Sequence, residues 1–298
     1  MKLNKLGEFG LIGRFHKEIR TDRSVIRGSG DDCAVLTFDR YNYQLFTCDM
    51  IVENVDFTRK DDPFLIGRKA VAVSLSDIAS CCGVSKHCVI SLGLPQNVDF
   101  RFVQQMFKGM LSVANSFKCN IVGGDISRCE KIVIDVSMLG LVEKKKLALR
   151  SGAKAKDIIF VSGKLGGSIR GKHLKFTPRL KEAQYLADNY KIGAMIDISD
   201  GLLQDLGHIT DESRVGAVLF EKLIPVSKDA VNLQDALTGG EDFELLFTLP
   251  VHEAKKLIKA GKFKFWPVGE ILEKKEGIIF VDKFNKVEKV RPCGFSHF

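Results

Sequence analysis

The sequence predicts a two-domain α+β protein, and three observations carry that reading. The chain has 298 residues, 45% hydrophobic and 28% charged, enough for two buried cores. Apolar segments of strand and helix period follow one another without a GxGxxG turn or a strict βαβ rhythm, which fits mixed layers better than a Rossmann domain. A polar, basic stretch at 143–156, with Lys144-Lys145-Lys146 and Gly152, interrupts the pattern, so residues 1–143 and 144–298 are expected to form separate domains.

In order along the chain, residues 7–20 repeat Phe9, Ile12, Phe15 and Ile19 at three- and four-residue steps, an amphipathic helix in which His16 packs. Residues 43–50 alternate as a strand, with Leu45, Thr47 and Asp49 on one side and Phe46, Cys48 and Met50 on the other. Pro63 opens a helix that reaches Cys82 and stops at Gly83. On it Ile66, Ala70, Val73, Asp77 and Cys81 share one stripe, so Asp77 interrupts an apolar face. A carboxylate there is costly unless it is paired, hydrogen-bonded or metal-bound. A strand at 87–94, a helix at 99–117 and a short strand at 119–122 follow. Gly123-Gly124-Asp125 is expected where that strand ends, the position at which α/β folds hold ligands. A strand at 131–142 completes the first half. The second half reads as strands at 157–162, 194–198, 215–220, 243–249 and 278–281 with helices at 178–190, 200–210 and 252–260. Residues 166–173 nearly match a phosphate-binding P-loop, but His173 stands where Ser or Thr would hold Mg²⁺, so a flexible glycine-rich connection is expected.

The formal net charge of +8 suits anionic partners such as nucleotides. The basic residues are scattered and not interleaved with aromatics, which argues against a nucleic-acid-binding protein. Eight cysteines include no Cys-x-x-Cys pair, so zinc and thioredoxin signatures are missing. No apolar leader follows Met1 and no stretch has membrane-spanning length, so a reduced cytoplasmic protein is expected.

The chemistry lies in recurring acidic loops: Gly30-Asp31-Asp32, Thr47-Cys48-Asp49, Ser74-Leu75-Ser76-Asp77, Gly123-Gly124-Asp125, Asp197-Ile198-Ser199-Asp200-Gly201 and Gly239-Gly240-Glu241-Asp242. Each sets carboxylates beside Gly, Ser or Thr at the edge of an apolar segment. Phosphoryl transfer needs Mg²⁺ on hard oxygen ligands, with backbone N–H groups near the phosphates. Asp31, Asp32, Asp49, Asp77, Asp125, Asp197 and Asp200 supply such oxygens, and Ser199, Thr47 and backbone carbonyls can add others. No Ser-His-Asp or Cys-His set stands out, so no covalent nucleophile is expected. A paired-carboxylate glycosidase would not need so many Asp-Gly loops.

These loops, with Gly7-Glu8-Phe9, Arg150-Ser151-Gly152-Ala153, Gly239-Gly240-Glu241-Asp242-Phe243-Glu244-Leu245 and the ending Gly294-Phe295-Ser296-His297-Phe298, resemble the thiamine-monophosphate kinase family over nearly the whole chain. That family falls within the ATP-binding superfamily of aminoimidazole-ribonucleotide synthetase and selenophosphate synthetase. The resemblance implies an N-terminal mixed sheet used for dimerisation, a C-terminal α/β domain and an active site between them in a homodimer. It implies that ATP phosphorylates thiamine monophosphate directly, with several Mg²⁺ ions. Asp32, Asp49, Asp77, Asp125, Asp197 and Asp200 fall on metal positions, flanked by Thr47 and Cys48. Gly124, Asp125, Arg150 and Ser199 fall on ATP positions, and Asp56, Glu241 and Phe295 on the acceptor side. The chain departs from the pattern at Val55-Asp56-Phe57, where His is common, and at Cys48, where a hydroxyl is usual. It is short between Ser168 and Pro178, and Arg291-Pro292-Cys293 lacks an aromatic that Phe295 replaces. Another acceptor within the superfamily is the alternative these departures leave open.

Overall fold

Two β-sheets, one from each half of the chain, organise the computed structural model, which describes residues 3–297. Phe298, the last residue of the terminal motif, lies outside the described residues, as do Met1, Lys2 and the side chains of Leu3, Asn4 and Phe9. The first half runs α1 (Leu3–Leu6), α2 (Glu8–Glu18), β1 (Val25–Arg27), β2 (Ala34–Thr37), β3 (Asn42–Val52), α3 (Pro63–Ser80), β4 (Val84–Leu94), α4 (Phe100–Ser116), β5 (Asn120–Arg128) and β6 (Val133–Glu143). Its strands lie in the order β1-β2-β3-β6-β4-β5. The α3 helix starts as its sequence directs: the Asp62 side chain accepts the Phe64 N–H, and Pro63 takes the first turn, where no N–H is needed. Helices α3 and α4 touch through glycines. A Cβ on Gly67 would stand 1.8 Å from the Met106 carbonyl oxygen, and one on Gly109 1.9 Å from that of Phe64.

One expectation is corrected here. The strand after α4 does not end before Gly123-Gly124-Asp125 but runs through them to Arg128, so these residues do not form a ligand loop. Parallel pairing with β4 continues through Ile90–Gly124 and Ser91–Asp125. At Gly124 the strands approach so closely that a Cβ would lie 1.8 Å from the Ile90 carbonyl oxygen. Glycine is therefore needed for sheet packing, whatever else it does.

The second half runs β7 (Ile158–Val161), α5 (Lys172–Lys175), α6 (Leu180–Asn189), β8 (Met195–Asp197), α7 (Leu202–Ser213), β9 (Gly216–Phe220), α8 (Leu233–Thr238), β10 (Leu245–Leu249), α9 (Val251–Ala260), β11 (Trp266–Leu272), β12 (Ile278–Val281) and β13 (Val287–Val290). The sheet order is β13-β12-β9-β11-β7-β10-β8. The sequence conceals β11 because Pro267 and Gly269 break its pattern, and the register shifts between those two residues. The expected flexible connection at 166–173 is instead pinned: the Gly166 N–H and the Ser168 hydroxyl both donate to the Asp242 carboxylate. A carboxylate of the chain itself occupies what a P-loop would offer to phosphate.

Helix α3 lies between the halves, packed against β3, β4 and β6 on one side and α5, α6 and β8 on the other. One core spans this junction, joining Ile66, Ile78 and Val136 to Leu186 and Phe247; a second lies across the C-terminal sheet around Ile159, Leu206 and Leu219. Among the described residues no helix is long and apolar enough to cross a membrane.

Candidate active site

Asp77 reaches the junction because α3 carries it there. The alternation expected for β3 is observed: Leu45, Thr47 and Ile51 are buried toward the helix, while Phe46, Cys48 and Met50 are exposed. Thr47 donates its hydroxyl to Asp77. One residue earlier on α3, Ser76 donates to Asp197 Oδ2 at 2.5 Å, tying the first half to the end of β8. Arg150, between β6 and β7, reaches Asp32 Oδ1 from Nε at 2.9 Å and from Nη2 at 2.6 Å. Its backbone N–H donates to Asp31 at 3.1 Å, so Asp31 shapes the loop that presents Asp32. Asp32, Asp49, Asp77, Arg150, Asp197, Ser199 and Asp200 line one cavity of about 1030 Å³.

The electrostatics of this cavity are unbalanced. Burial, and then repulsion from Asp32, push Asp31 up to about 7 and Asp197 up to about 8. Burial raises Asp49 to about 6, and burial followed by the charge of Glu8 raises Asp200 to about 6. Asp77 is pushed well above the carboxylate range by burial and by Asp49, Asp197 and Asp32. Burial opposes the charge of Arg150, but Asp32 overrides it and leaves the guanidinium firmly protonated. One arginine does not neutralise five carboxylates. Moreover, Asp32 Oδ2 and Asp49 Oδ2 are buried without a hydrogen-bond partner among the described residues. Orphaned hard oxygens in a group of mutually repelling carboxylates are the donor set that Mg²⁺ takes.

A second, smaller cavity of about 380 Å³ adjoins the first, and the two share Asp49, Ser199 and Asp200. Its walls are largely apolar, with Ile51, Val73, Phe243 and Phe295, and Glu241 and Asp56 are its acidic residues beside Asp49 and Asp200. The Glu241 loop is held in place by its own backbone: Glu241 and Phe243 donate N–H groups to the Ser199 and Ile198 carbonyls, both at 2.7 Å. Glu241 and Phe243 have φ of 64° and 49°, left-handed values that cost about 1–2 kcal/mol each for L-residues. Phe295 is fixed to the same floor, donating its N–H to the Asp200 carbonyl at 2.9 Å. Asp56 bends back, accepting the Val52 N–H at 2.7 Å, so one of its oxygens holds the turn after β3.

The structure does not bring Gly124, Asp125 or the Cys48 thiol into this group within one chain. Asp125 pairs with Ser91, Ser91 with Asp135 and Asp135 with Met50, a row facing away from α3. Cys48 shares that face and donates its thiol to Asp135 Oδ2 at 3.0 Å. Strand alternation thus keeps the Cys48 thiol off the face that carries Thr47 toward Asp77, as the alternating pattern of the sequence predicts.

Sequence reasoning missed Ser76, Lys69, Asp205 and His208. Ligand atoms of Asp200, Asp205 and His208 lie within 4.8 Å of one another. Asp205 is already committed, however, accepting the N–H groups of Asp200 and Gly201 at 3.2 and 3.0 Å and so fixing the loop that starts α7. Burial, then Arg150, lowers His208 to about 4, so its ring is neutral near pH 7. Asp205 was findable as the acid one helical turn beyond Gly201.

Residues 30–142 match the family described as AIR synthase related protein, N-terminal domain, and residues 136–282 the family described as AIR synthase related protein, C-terminal domain. The chain is 33% identical to the thiamine-monophosphate kinase of Aquifex aeolicus over 100% of both proteins. It is 35% identical to that of Haemophilus influenzae over 98% of each. The solved structure described as AaThiL complexed with AMPPCP and TMP matches at 31% identity with a TM-score of 0.88, over 100% of this chain and 99% of that one. The Escherichia coli hydrogenase maturation protein HypE, 17% identical with a TM-score of 0.73, shares the fold.

Proposed function

The chain belongs to the thiamine-monophosphate kinase family, and we propose that it transfers the γ-phosphoryl of ATP to the phosphate of thiamine monophosphate, giving thiamine diphosphate and ADP. The observation that carries this reading is the junction of two unlike cavities at Asp49, Ser199 and Asp200. The larger, acidic one suits a nucleotide triphosphate carried with cations. The smaller, apolar one suits a heterocycle, with Glu241 and Phe295 in its wall. Donor and acceptor phosphates then meet at the shared residues.

Asp32, Asp49, Asp77, Asp197 and Asp200 would hold Mg²⁺, with Thr47 beside them; the orphaned oxygens of Asp32 and Asp49 support this fit. When bound, Mg²⁺ screens the phosphate charges and aligns donor with acceptor. The protein's own part is positioning. Arg150 fixes Asp32, Thr47 fixes Asp77, and Ser76 fixes Asp197 across the domain junction. Arg150 also offers a permanent cation toward the nucleotide, and Ser199 a hydroxyl. Glu241, Asp56 and Phe295 contact the acceptor.

We take 1–143 and 144–298 as the two domains and a homodimer as the working form. The face of the first sheet turned away from α3 exposes Phe46, Met50, Val89 and Val122, and an apolar area of this kind is typical of an interface. Gly124, Asp125 and Cys48 belong to that sheet, so a second copy against it gives Gly124 and Asp125 their route to an ATP site. The cytoplasm is the setting this biosynthetic reaction implies.

The deciding experiment compares thiamine monophosphate, thiamine and an aminoimidazole ribonucleotide precursor as acceptors with ATP and Mg²⁺. Thiamine diphosphate should form from the monophosphate alone. Failure to form it, with turnover of another acceptor, would overturn the assignment.

A further inference from the structure

Lys69 is the feature that the proposed reaction does not yet use. It lies on α3 among Ile66, Ala70 and Val73, and its side chain is 0% exposed. An ammonium group is rarely buried so fully, because its desolvation must be offset by charged or dipolar partners. Two partners are present. Nζ donates to the backbone carbonyl oxygen of Asp56 at 2.8 Å, and it donates to Glu241 Oε1 in an ion pair. The three groups come from α3, from the turn after β3 and from the loop before β10, and all three border the smaller cavity.

The pair leaves Glu241 half satisfied. Oε1 is taken by Lys69, while Oε2 is buried without a hydrogen-bond partner among the described residues. The Glu241 backbone is at the same time held at positive φ by its N–H bond to Ser199. A carboxylate fixed at one oxygen, with the other bare beside a largely apolar pocket, is prepared for a hydrogen-bond donor or a cation.

Resting on the proposed function, we propose that Lys69 is a positioning residue for the acceptor: it holds Glu241 turned so that Oε2 receives a hydrogen-bond donor of the acceptor, the amino group of its pyrimidine ring. Lys69 touches neither the phosphate nor the nucleotide in this arrangement. Its effect is exerted through Glu241, on binding of the acceptor rather than on the chemical step. The acceptor class this selects is a cationic ring system bearing an amino group. A sugar phosphate without a cationic ring offers no positive charge for Glu241 to meet.

The test is steady-state kinetics of Lys69→Met, which keeps the unbranched stem of the side chain to within one atom and removes its charge. KM for thiamine monophosphate should rise about 10–100-fold, the range expected for losing one hydrogen bond to a charged group, while KM for ATP and kcat stay within about twofold. Lys69→Gln, which keeps a donor toward Asp56 and Glu241, is the second variant and should fall between wild type and Lys69→Met. It carries the measurement where Lys69→Met does not fold. Equal losses in kcat with an unchanged acceptor KM in the folded variants would overturn the inference and make the pair a structural clamp only. If the wild-type chain forms no thiamine diphosphate, the proposed function and this inference fall together. Normal wild-type turnover with an unaltered acceptor KM in both variants overturns this inference alone.

Discussion

Two buried acidic groups in this protein are built on opposite plans. The first lines the larger cavity, where Asp32, Asp49, Asp77, Asp197 and Asp200 crowd around a single arginine and burial raises the affinity of Asp49, Asp77, Asp197 and Asp200 for protons. The second sits beneath the Gly166–Ser168 loop. There Glu244 accepts from Arg179 Nε at 2.7 Å and Nη2 at 2.8 Å, from Lys172 at 3.0 Å and from Ser162 at 2.8 Å. Burial works to raise Glu244, but Arg179 and Lys172 override it and leave its pKa lowered. Burial thus gives opposite results at Glu244 and in the first group, depending on whether cations of the chain itself meet the carboxylate; Asp242, whose cation is the partly exposed Lys172, stays raised. The compensated group is architecture; the uncompensated one awaits a ligand.

Exchanging one acid in each group is the strongest way to break this comparison. Asp77→Asn should reduce kcat by about 10³-fold or more while leaving the folded protein as stable as wild type or more so, because it removes a repelled charge. Glu244→Gln should do the reverse. It strands Arg179 and Lys172, and should cost about 3 kcal/mol of stability, the lower end of the range for a broken buried pair, since both cations are 30% exposed. Thermal unfolding beside kinetics on the same preparations checks both. An Asp77→Asn protein with full activity would remove Asp77 from the working group.

Proton linkage offers a smaller effect of distinct sign. Asp49 and Asp197 have pKa values raised to about 6 and about 8, against 3.8 in the unfolded chain. Their contribution is complete below the unfolded value and is lost as pH rises through 6 to 8. Glu244, with its pKa lowered from 4.5, contributes above that value and loses its contribution as pH falls below it. In the presence of a chelator, Tm should therefore be highest near pH 5 and fall by several degrees toward pH 8, at roughly 2–4 °C per kcal/mol for domains of about 150–250 residues. Mg²⁺ added at pH 8 should restore it, since it binds the ionised carboxylates. A flat or rising metal-free profile between pH 5 and 8 would contradict the uncompensated reading of the first group.

How much of this was legible depended on whether a residue's neighbours lie along its own element. The helical stripe of α3 put Asp77 on an apolar face, and the alternation of β3 put Thr47 and Asp49 together, because both periods are local properties of the chain. Asp125 was misread for an equally local reason: two glycines suggested a turn, but only the partner strand reveals that Gly124 is where β5 and β4 touch. The bond between Arg150 and Asp32 joins residues 118 positions apart, and that between Ser76 and Asp197 joins residues 121 apart; no period encodes either. Lys69 was hidden because a lysine beside Arg68 reads as a solvated helix face. Its burial follows from α3 being covered on both sides, a property of the assembled halves. The α+β class, by contrast, needed only the order of apolar segments, while β11 escaped because Pro267 and Gly269 disguise a strand.

The smallest effect concerns the outer member of the compensated group. Lys172 lies 3.0 Å from Glu244 and 3.4 Å from Asp242, and its side chain is 30% exposed. Solvent screens an ammonium at that depth, and Arg179 already supplies Glu244 with two bonds. Asp242 likewise keeps the Gly166 N–H and the Ser168 hydroxyl when Lys172 is removed. Lys172→Met should consequently cost no more than about 1 kcal/mol in urea unfolding and leave both KM values unchanged. A loss comparable to that of Glu244→Gln would mean that the charge balance of this group hangs on its exposed lysine. The two acidic groups would then differ in degree of compensation rather than in kind.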